Sequence, residues 1–463
     1  MNQLPAAFEA RMRALLGADA GRFLEALRAP APVSVRLNPA KVTPENLCLP
    51  AATAGKVPWA EYGYYLAERP LFTLDPCFHG GAYYVQEASS LFLEQILKQL
   101  LPDTPVRVLD LCAAPGGKST LAADLLPAGS LLVANEVIRS RAAVLKENIV
   151  RWGRNDIAVS NSDPAAFARL ERAFDLLIAD APCSGEGLFR KDPASIREWS
   201  ESNLVLCSER QKRILADSWP ALKAGGYLVY STCTYNPEEN ERIIEWAARE
   251  LGAEPVEIPH SFAGITPGES LFPTYRFYPH KTAGEGFFTG VLRKQGGESE
   301  AVRRGGGRRK KESPAPALPP EIKALLPDTA EVEVKKEAEV FRIVPAAHAD
   351  FLEEAGKSIR MVYEGCEVAE VNGRKVKPLH SLALYASLNK TGIAVAGLSL
   401  PEALRFLKKE ELSIPVRNGA WILLCYEGIA LGWGKGVGNR LNNYFPKEWR
   451  IRMELPADLL LTQ

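Results

Sequence analysis

Apolar and polar positions change rhythm along this chain. From about residue 104, five apolar runs of strand length recur: Val106–Cys112, Ser130–Glu136, Ile157–Asp163, Phe174–Cys183 and Gly226–Cys233. Helical patterns separate the first three, and Leu204–Gly225 separates the last two. Near-continuous apolar strands alternating with helices predict an α/β fold, a parallel sheet covered on both faces. A further run, Glu285–Lys294, adds a final strand, and Phe277–Gly286 before it reads as a loop.

The flanks read differently. Residues 1–30 form an amphipathic helical pattern with charges throughout, which excludes a signal peptide. Pro32–Lys41 alternates like a strand, and Ala82–Pro102 runs from a strand or turn into a helix. Leu93, Ile96, Leu97 and Leu100 recur there at helical spacing. Residues 296–320 are rich in Gly, Pro and charge without apolar periodicity, so a flexible linker is expected. Its cluster Arg303, Arg304, Arg308, Arg309, Lys310 and Lys311 is either a solvated tether or an arm for phosphates. Beyond it, Ser399 and Glu402 form a capping-box pattern. Gly419–Arg452 reads as short strands and turns. Trp433, Lys435, Arg440, Tyr444, Lys447 and Arg450 interleave in it, which suits RNA binding and equally a plain core with a charged surface.

Composition narrows the class. A chain of 463 residues holds two to four domains. Lys+Arg and Asp+Glu balance at 56 each, so any basic surface for nucleic acid is local. No apolar stretch approaches the ~20 residues of a membrane span, and a cytoplasmic protein without membrane contact is expected. None of the eight cysteines lies in Cys-x-x-Cys spacing, and the five histidines are scattered. Neither a zinc site nor a disulfide framework is expected.

The candidate chemistry sits at the strand ends. In Asp110–Thr120, "DLCAAPGGKST", Gly117-Lys118-Ser119 resembles a phosphate loop, but the required earlier glycine is replaced by Cys112. What remains is a turn of small residues that either admits a cofactor to the backbone or simply packs helix on sheet. Four successive strands end in acids: Asp110, Glu136, Asp163 and Asp180. Ligands of such sheets bind at the carboxyl ends of the strands, so these acids should line one crevice. Carboxylates without a phosphate cradle point to a phosphate-free nucleoside such as S-adenosylmethionine. Cys183 follows the fourth strand and Cys233 the fifth. A single such cysteine is usually an inert buried residue. Two at neighbouring strand ends, one three residues after an acid, point to a reactive pair.

These residues resemble a known family. Asp110-Leu-Cys-Ala-Ala-Pro-Gly-Gly-Lys118, Asp180-Ala-Pro-Cys183-Ser-Gly and Ser231-Thr-Cys233-Thr are similar to motifs of the Fmu/Sun-type RNA (cytosine-5)-methyltransferases. "SVRLNP", "YVQEASS" and "YPHKTAGEGFF" extend the resemblance over nearly the whole chain. The extra C-terminal region is similar to the bacterial RsmF branch, which modifies 16S ribosomal RNA.

The resemblance implies a Rossmann-like methyltransferase core at 101–295 and an N-terminal α+β RNA-binding domain at 1–100. After the basic linker at 296–320 it implies an α+β domain at 321–411 and a PUA-like module at 412–463. It implies S-adenosylmethionine as cofactor, no metal, and 16S rRNA or the small ribosomal subunit as partner of a monomeric enzyme. Cys233 is then the nucleophile toward carbon 6 of cytosine, and Cys183 assists the elimination that frees the enzyme. Asp180 holds the cytosine edge beside the methionine end of the cofactor. Cys112, Ala113, Ala114, Pro115, Gly116, Gly117 and Lys118 wrap the cofactor. Glu136 takes the ribose, Asp163 the adenine amino group, and Arg141 joins the cofactor set. Lys118 serves cofactor or base. Only the thiolate is a strong nucleophile, so the pocket should help Cys233 deprotonate, through Lys118 or through Arg190 and Lys191. The rivals are a tRNA cytosine-5 methyltransferase, a catalytically silent RNA-binding assembly factor and an amino-group methyltransferase. A silent factor would have lost a thiol or an acid. An amino-group enzyme would show a different sequence after the fourth strand.

Overall fold

Helices on both faces of a parallel sheet leave no strand position in contact with water, which is why the apolar runs are unbroken. The computed structural model describes residues 4–43, 49–296, 316–327, 331–438 and 440–456. Five strands build the centre: β1 (Arg107–Asp110), β2 (Leu131–Asn135), β3 (Ile157–Ser160), β4 (Phe174–Asp180) and β5 (Leu222–Thr232). They lie in the order 3-2-1-4-5, all neighbours parallel. Every residue of β2 and β3 is buried. β6 (Thr274–Phe277) and β7 (Phe287–Lys294) continue the sheet antiparallel beyond β5. The connections reverse direction between β1 and β4, so a crevice opens at the carboxyl ends there.

The chain after the linker, expected as a domain apart, is instead fused to this core. β8 (Met361–Glu364) pairs antiparallel with β3. Val344, Ala349, Leu352, Ala355 and Ile359 share an apolar cluster with Phe174 and Leu177 of β4. The reason is the edge: β3 would otherwise present unpaired backbone groups to solvent. The other strands of this region form a four-stranded antiparallel sheet from Val332–Glu337, Val340–Pro345, Cys366–Asn372 and Lys375–Pro378.

The last module also begins earlier than its expected start at 412. Ala394–Gly397 pairs parallel with Trp421–Tyr426, which is followed by Ile429–Val437 and Arg440–Asn443 in one sheet. Ser399 caps the intervening helix Leu400–Leu407 through the expected exchange with Glu402. Of the two readings open for Trp433 the core one holds: it is buried and donates Nε1–H to the Leu379 carbonyl at 2.9 Å. Arg440, Lys447 and Arg450 are exposed, while Lys435 and Tyr444 pack half-buried on Trp421.

Helices Ala6–Leu16 and Ala20–Ala26 precede a four-stranded antiparallel sheet of Thr53–Lys56, Gly63–Leu66, Val33–Leu37 and Tyr83–Val85. "SVRLNP" docks this unit on the core. Buried Arg36 donates to Gln86 Oε1 at 3.0 Å and Thr120 Oγ1 at 2.6 Å, and pairs with Asp124. Asn38 donates to the carbonyls of Gly81 at 3.0 Å and Trp152 at 2.9 Å. The basic cluster at 303–311 lies outside the described residues. Among the described residues six cysteines are free thiols, whereas Cys77 is disulfide-bonded, against the expectation of no disulfide framework. Composition shows how many thiols a chain has, but only folding decides which two meet. Among the described residues no helix is long and apolar enough to cross a membrane.

Candidate active site

The turn after β1 is shaped by its small residues. Gly116 takes φ +116°, a region that favours glycine, and the helix Gly117–Leu125 starts directly after it. Two side chains from the next helix, Arg139–Trp152, hold this turn in place. Arg141 donates to the Ala114 carbonyl at 3.0 Å, and Asn148 to the Pro115 carbonyl at 2.8 Å. Arg141 also pairs with Glu136 at 3.4 Å, so it links the loop to the acid that ends β2.

The strand-end acids converge unevenly. Burial pushes the Cys112 thiol well up, and the carboxylates of Asp110, Asp180 and Glu136 all add to that push. Three of the four acids therefore act on the Cys112 thiol. Asp163 is exposed, caps the turn at Ala165 and pairs with Arg213 at 3.4 Å. Asp110 is fully buried and accepts the Ser119 hydroxyl at 2.6 Å. Burial raises its carboxyl to about 7, against the pull of that hydroxyl.

The sign of this shift gives a prediction. Between about pH 4 and 7 the folded chain keeps a proton that the unfolded chain has lost, so stability falls as pH rises through that window. A shift of this size corresponds to at most about 4 kcal/mol. The Asp110→Asn variant should therefore lose less stability than the wild type on going from pH 4 to pH 8. Thermal melts across that range check it, and parallel curves for the two proteins would contradict it.

The two thiols meet. β4 and β5 are parallel neighbours with Asp180 opposite Ser231, so the loops that follow leave the sheet side by side. Cys183 Sγ lies 3.3 Å from Cys233 Sγ. Ser231 Oγ donates to Asp180 Oδ1 at 2.8 Å, and Lys118 Nζ lies 2.8 Å from Asp180 Oδ2. Burial alone would lower the Lys118 ammonium, but Asp180, then Cys233 and Asp110, more than offset this and raise it. Lys118 is thus a cation within electrostatic reach of the Cys233 sulfur. Arg190 and Lys191, the other expected helpers, are engaged elsewhere. Glu285 holds both, at 2.8 and 3.5 Å, and Arg190 also donates to the carbonyls of Gly284 and Ala26. Their sequence proximity to Cys183 carried no information about where Glu285 would stand.

Some of the site was not foreseen. Asn135 is wholly buried and ties three strand ends: it donates to the Leu111 and Ser162 carbonyls and accepts from Ser160 Oγ and the Ser162 amide. Its position directly before Glu136 was the available signal. Glu239 is buried behind the thiols, and the acidic run after the Asn236-Pro237 turn was its only trace. Glu186, also buried, accepts from Trp199 Nε1 at 2.9 Å and the Tyr235 amide at 3.1 Å, and pairs with Arg11 of the first helix.

This arrangement matches known proteins. A family profile described as 16S rRNA methyltransferase RsmB/F covers residues 97–293. Profiles for the N-terminal domain of 16S rRNA methyltransferase RsmF and for the RsmF PUA domain cover 4–88 and 394–451. The ribosomal RNA small subunit methyltransferase F of Vibrio atlanticus is 31% identical over 452 residues, 93% of each chain. That of Klebsiella pneumoniae is 31% identical over 96% of each. The chain belongs to the RsmB/F methyltransferase family.

Solved structures agree on the fold. A methyltransferase homolog from Pyrococcus horikoshii superposes with a TM-score of 0.53 at 31% identity, over 62% of this chain and 94% of that one. NSun6 from the same organism, solved with SFG, gives 0.53 at 21% identity over 63% and 98%. As an RsmB/F methyltransferase the chain is S-adenosylmethionine-dependent. The donor set fits that cofactor. Carboxylates around Cys112 would repel a nucleotide phosphate, but they suit ribose hydroxyls and a cationic methionine end.

Proposed function

We propose that this chain methylates carbon 5 of a cytosine in 16S rRNA through a covalent bond from Cys233. The observation that carries the reading is the pair of sulfurs 3.3 Å apart at the ends of β4 and β5, beside the Lys118–Asp180 ion pair. Cytosine carbon 5 is a poor nucleophile. Attack of a thiolate on carbon 6 makes it reactive, and cysteine is the side chain best suited to that attack. The cofactor, when bound, supplies an electrophilic methyl group.

The chain's own residues do the rest. Residues 112–118 and Glu136 hold the cofactor, with Arg141 fixing loop to acid; Asp163 takes the adenine end. Asp180 accepts from the cytosine edge, and Lys118 holds its carboxylate in place. Cys183, already touching Cys233, removes the carbon 5 proton at the end. The target base must leave any duplex to reach the thiol. The N-terminal unit and the exposed Arg440, Lys447 and Arg450 of the last module guide the RNA to it.

Bisulfite sequencing of ribosomal and transfer RNA from cells with and without the gene tests this. One or a few cytosines of 16S rRNA should lose their protection in the deletion strain. Loss confined to a tRNA would move the substrate to that class, and no loss at all would remove the cytosine reading.

A further inference from the structure

Two chemically identical side chains in van der Waals contact are assigned opposite tasks. Something must decide which sulfur reacts and which keeps its proton. The two sides of the pair differ in charge. Lys118, paired with Asp180 at 2.8 Å, interacts with Cys233. On the other side a carboxylate, Glu239, is fully buried and has no salt bridge among the described residues.

Glu239 is joined to both thiol loops. Its Oε2 accepts the amide of Ser184, the residue after Cys183, at 2.9 Å, and Gln211 Nε2 at 3.0 Å. Gln211 also donates to the carbonyl of Pro182, the residue before Cys183, at 3.1 Å. The other oxygen, Oε1, accepts Asn236 Nδ2 at 2.6 Å. The same Asn236 nitrogen donates to Thr234 Oγ1 at 3.0 Å and to Ser184 Oγ at 3.3 Å. Those two hydroxyls lie 2.9 Å apart, so the residues that follow each thiol are fastened to each other. Every hydrogen-bond partner of the Glu239 side chain donates, as suits an ionised carboxylate, and these donors oppose the burial that raises its carboxyl.

We propose that Glu239 is a positioning residue that keeps the proton of the thiol pair on Cys183 and so leaves Cys233 as the reacting sulfur. The assignment rests on the cytosine reading above for its purpose, and on the hydrogen-bond network for its geometry. The groups facing Cys183 are Cys233, the buried Tyr230 phenol of β5 and Glu239, with Glu186 and Cys207 beside Glu239. The Cys183 thiol is held well above its usual range. The contact with Cys233 is the first cause and burial the second, and Glu239 adds to both.

The last step needs the opposite protonation state of Cys183. Once Cys233 is bound to carbon 6, the Cys183 proton passes to water in the crevice. The Cys183 thiolate then takes the carbon 5 proton. The electrons of that C–H bond form the 5,6 double bond, the C6–S bond breaks, and its pair returns to Cys233 as thiolate. A carboxylate beside Cys183 makes its thiolate a stronger base for this transfer.

Site-resolved alkylation of the full-length protein with iodoacetamide across pH 6 to 10, read by mass spectrometry, tests the assignment without any RNA. In the wild type Cys233 should be labelled before Cys183. In the Glu239→Gln variant the Cys183 curve should move about one pH unit or more toward acid, and the Cys233:Cys183 preference should fall about tenfold. Glu239→Asp, which keeps the charge, should retain the preference. Gln211→Ala, which removes only a neutral donor, should leave the Cys183 curve in place. Labelling of Cys183 first in the wild type overturns the proposal, even if Glu239→Gln does not fold. So does an equal shift in Gln211→Ala, which would make packing the cause. Failure of the cytosine reading shows separately, as absence of a trapped adduct in Cys183→Ala, and leaves the alkylation result standing.

Discussion

Replacing Cys183 by alanine should leave the enzyme covalently joined to its RNA. The contact of 3.3 Å places the Cys183 sulfur beside the bond that Cys233 would make. Without it, attack and methyl transfer still proceed, but the carbon 5 proton has no positioned acceptor. Loss of such a proton acceptor slows its step about 10²–10⁴-fold. Turnover should fall by that factor while an RNA–protein adduct that survives denaturing gels accumulates. Cys233→Ala should form no adduct, and the double variant none either. An adduct in Cys233→Ala, or a Cys183→Ala enzyme that turns over normally, would reverse or remove the two roles.

Arg36→Ala should be strongly destabilising. Arg36 is buried, stacks over Trp152 with its guanidinium 4.3 Å from the ring centre, and pairs with a nearly buried Asp124. Removing one member of such a pair strands the other charge, at about 3–5 kcal/mol. Trp152 Nε1 donates to the same carboxylate at 2.9 Å, which softens the loss at Asp124. Gln86 and Thr120 lose a donor at the same time. Arg36→Lys should recover only part of the stability, because a point ammonium cannot serve three acceptors in a planar fork. Urea denaturation midpoints of the three proteins decide this. A wild-type midpoint in Arg36→Ala would show that the N-terminal unit does not depend on this anchor.

Arg36 also shows where reading the sequence stops. "SVRLNP" was recognisable as a motif, yet its letters do not reveal that Arg36 and Asn38 fasten one unit to another. Their partners Asp124 and Trp152 are about a hundred residues away, and no local period connects them. The same distance hid Glu239 behind Cys183, Glu285 around Arg190, and β8 against β3. Trp433 stayed open between core and RNA face for a related reason. An aromatic beside basic residues looks the same on a surface or in a core until the strand's facing side is known.

The sequence by itself determined the repeating strand–helix plan, the small-residue turn at Cys112–Lys118, the acids at successive strand ends and the two thiols. Each is a local pattern of polarity, size or conformational freedom, readable within one element and its turn. Only the tertiary structure decided that Cys183 and Cys233 touch, that Lys118 pairs with Asp180 while Arg190 is held by Glu285, and that Asp163 is exposed. It alone placed a buried carboxylate behind one sulfur and a buried arginine between two units. These are pairings across dozens to hundreds of residues. They follow from strand order and close packing, and neither is written in any single segment.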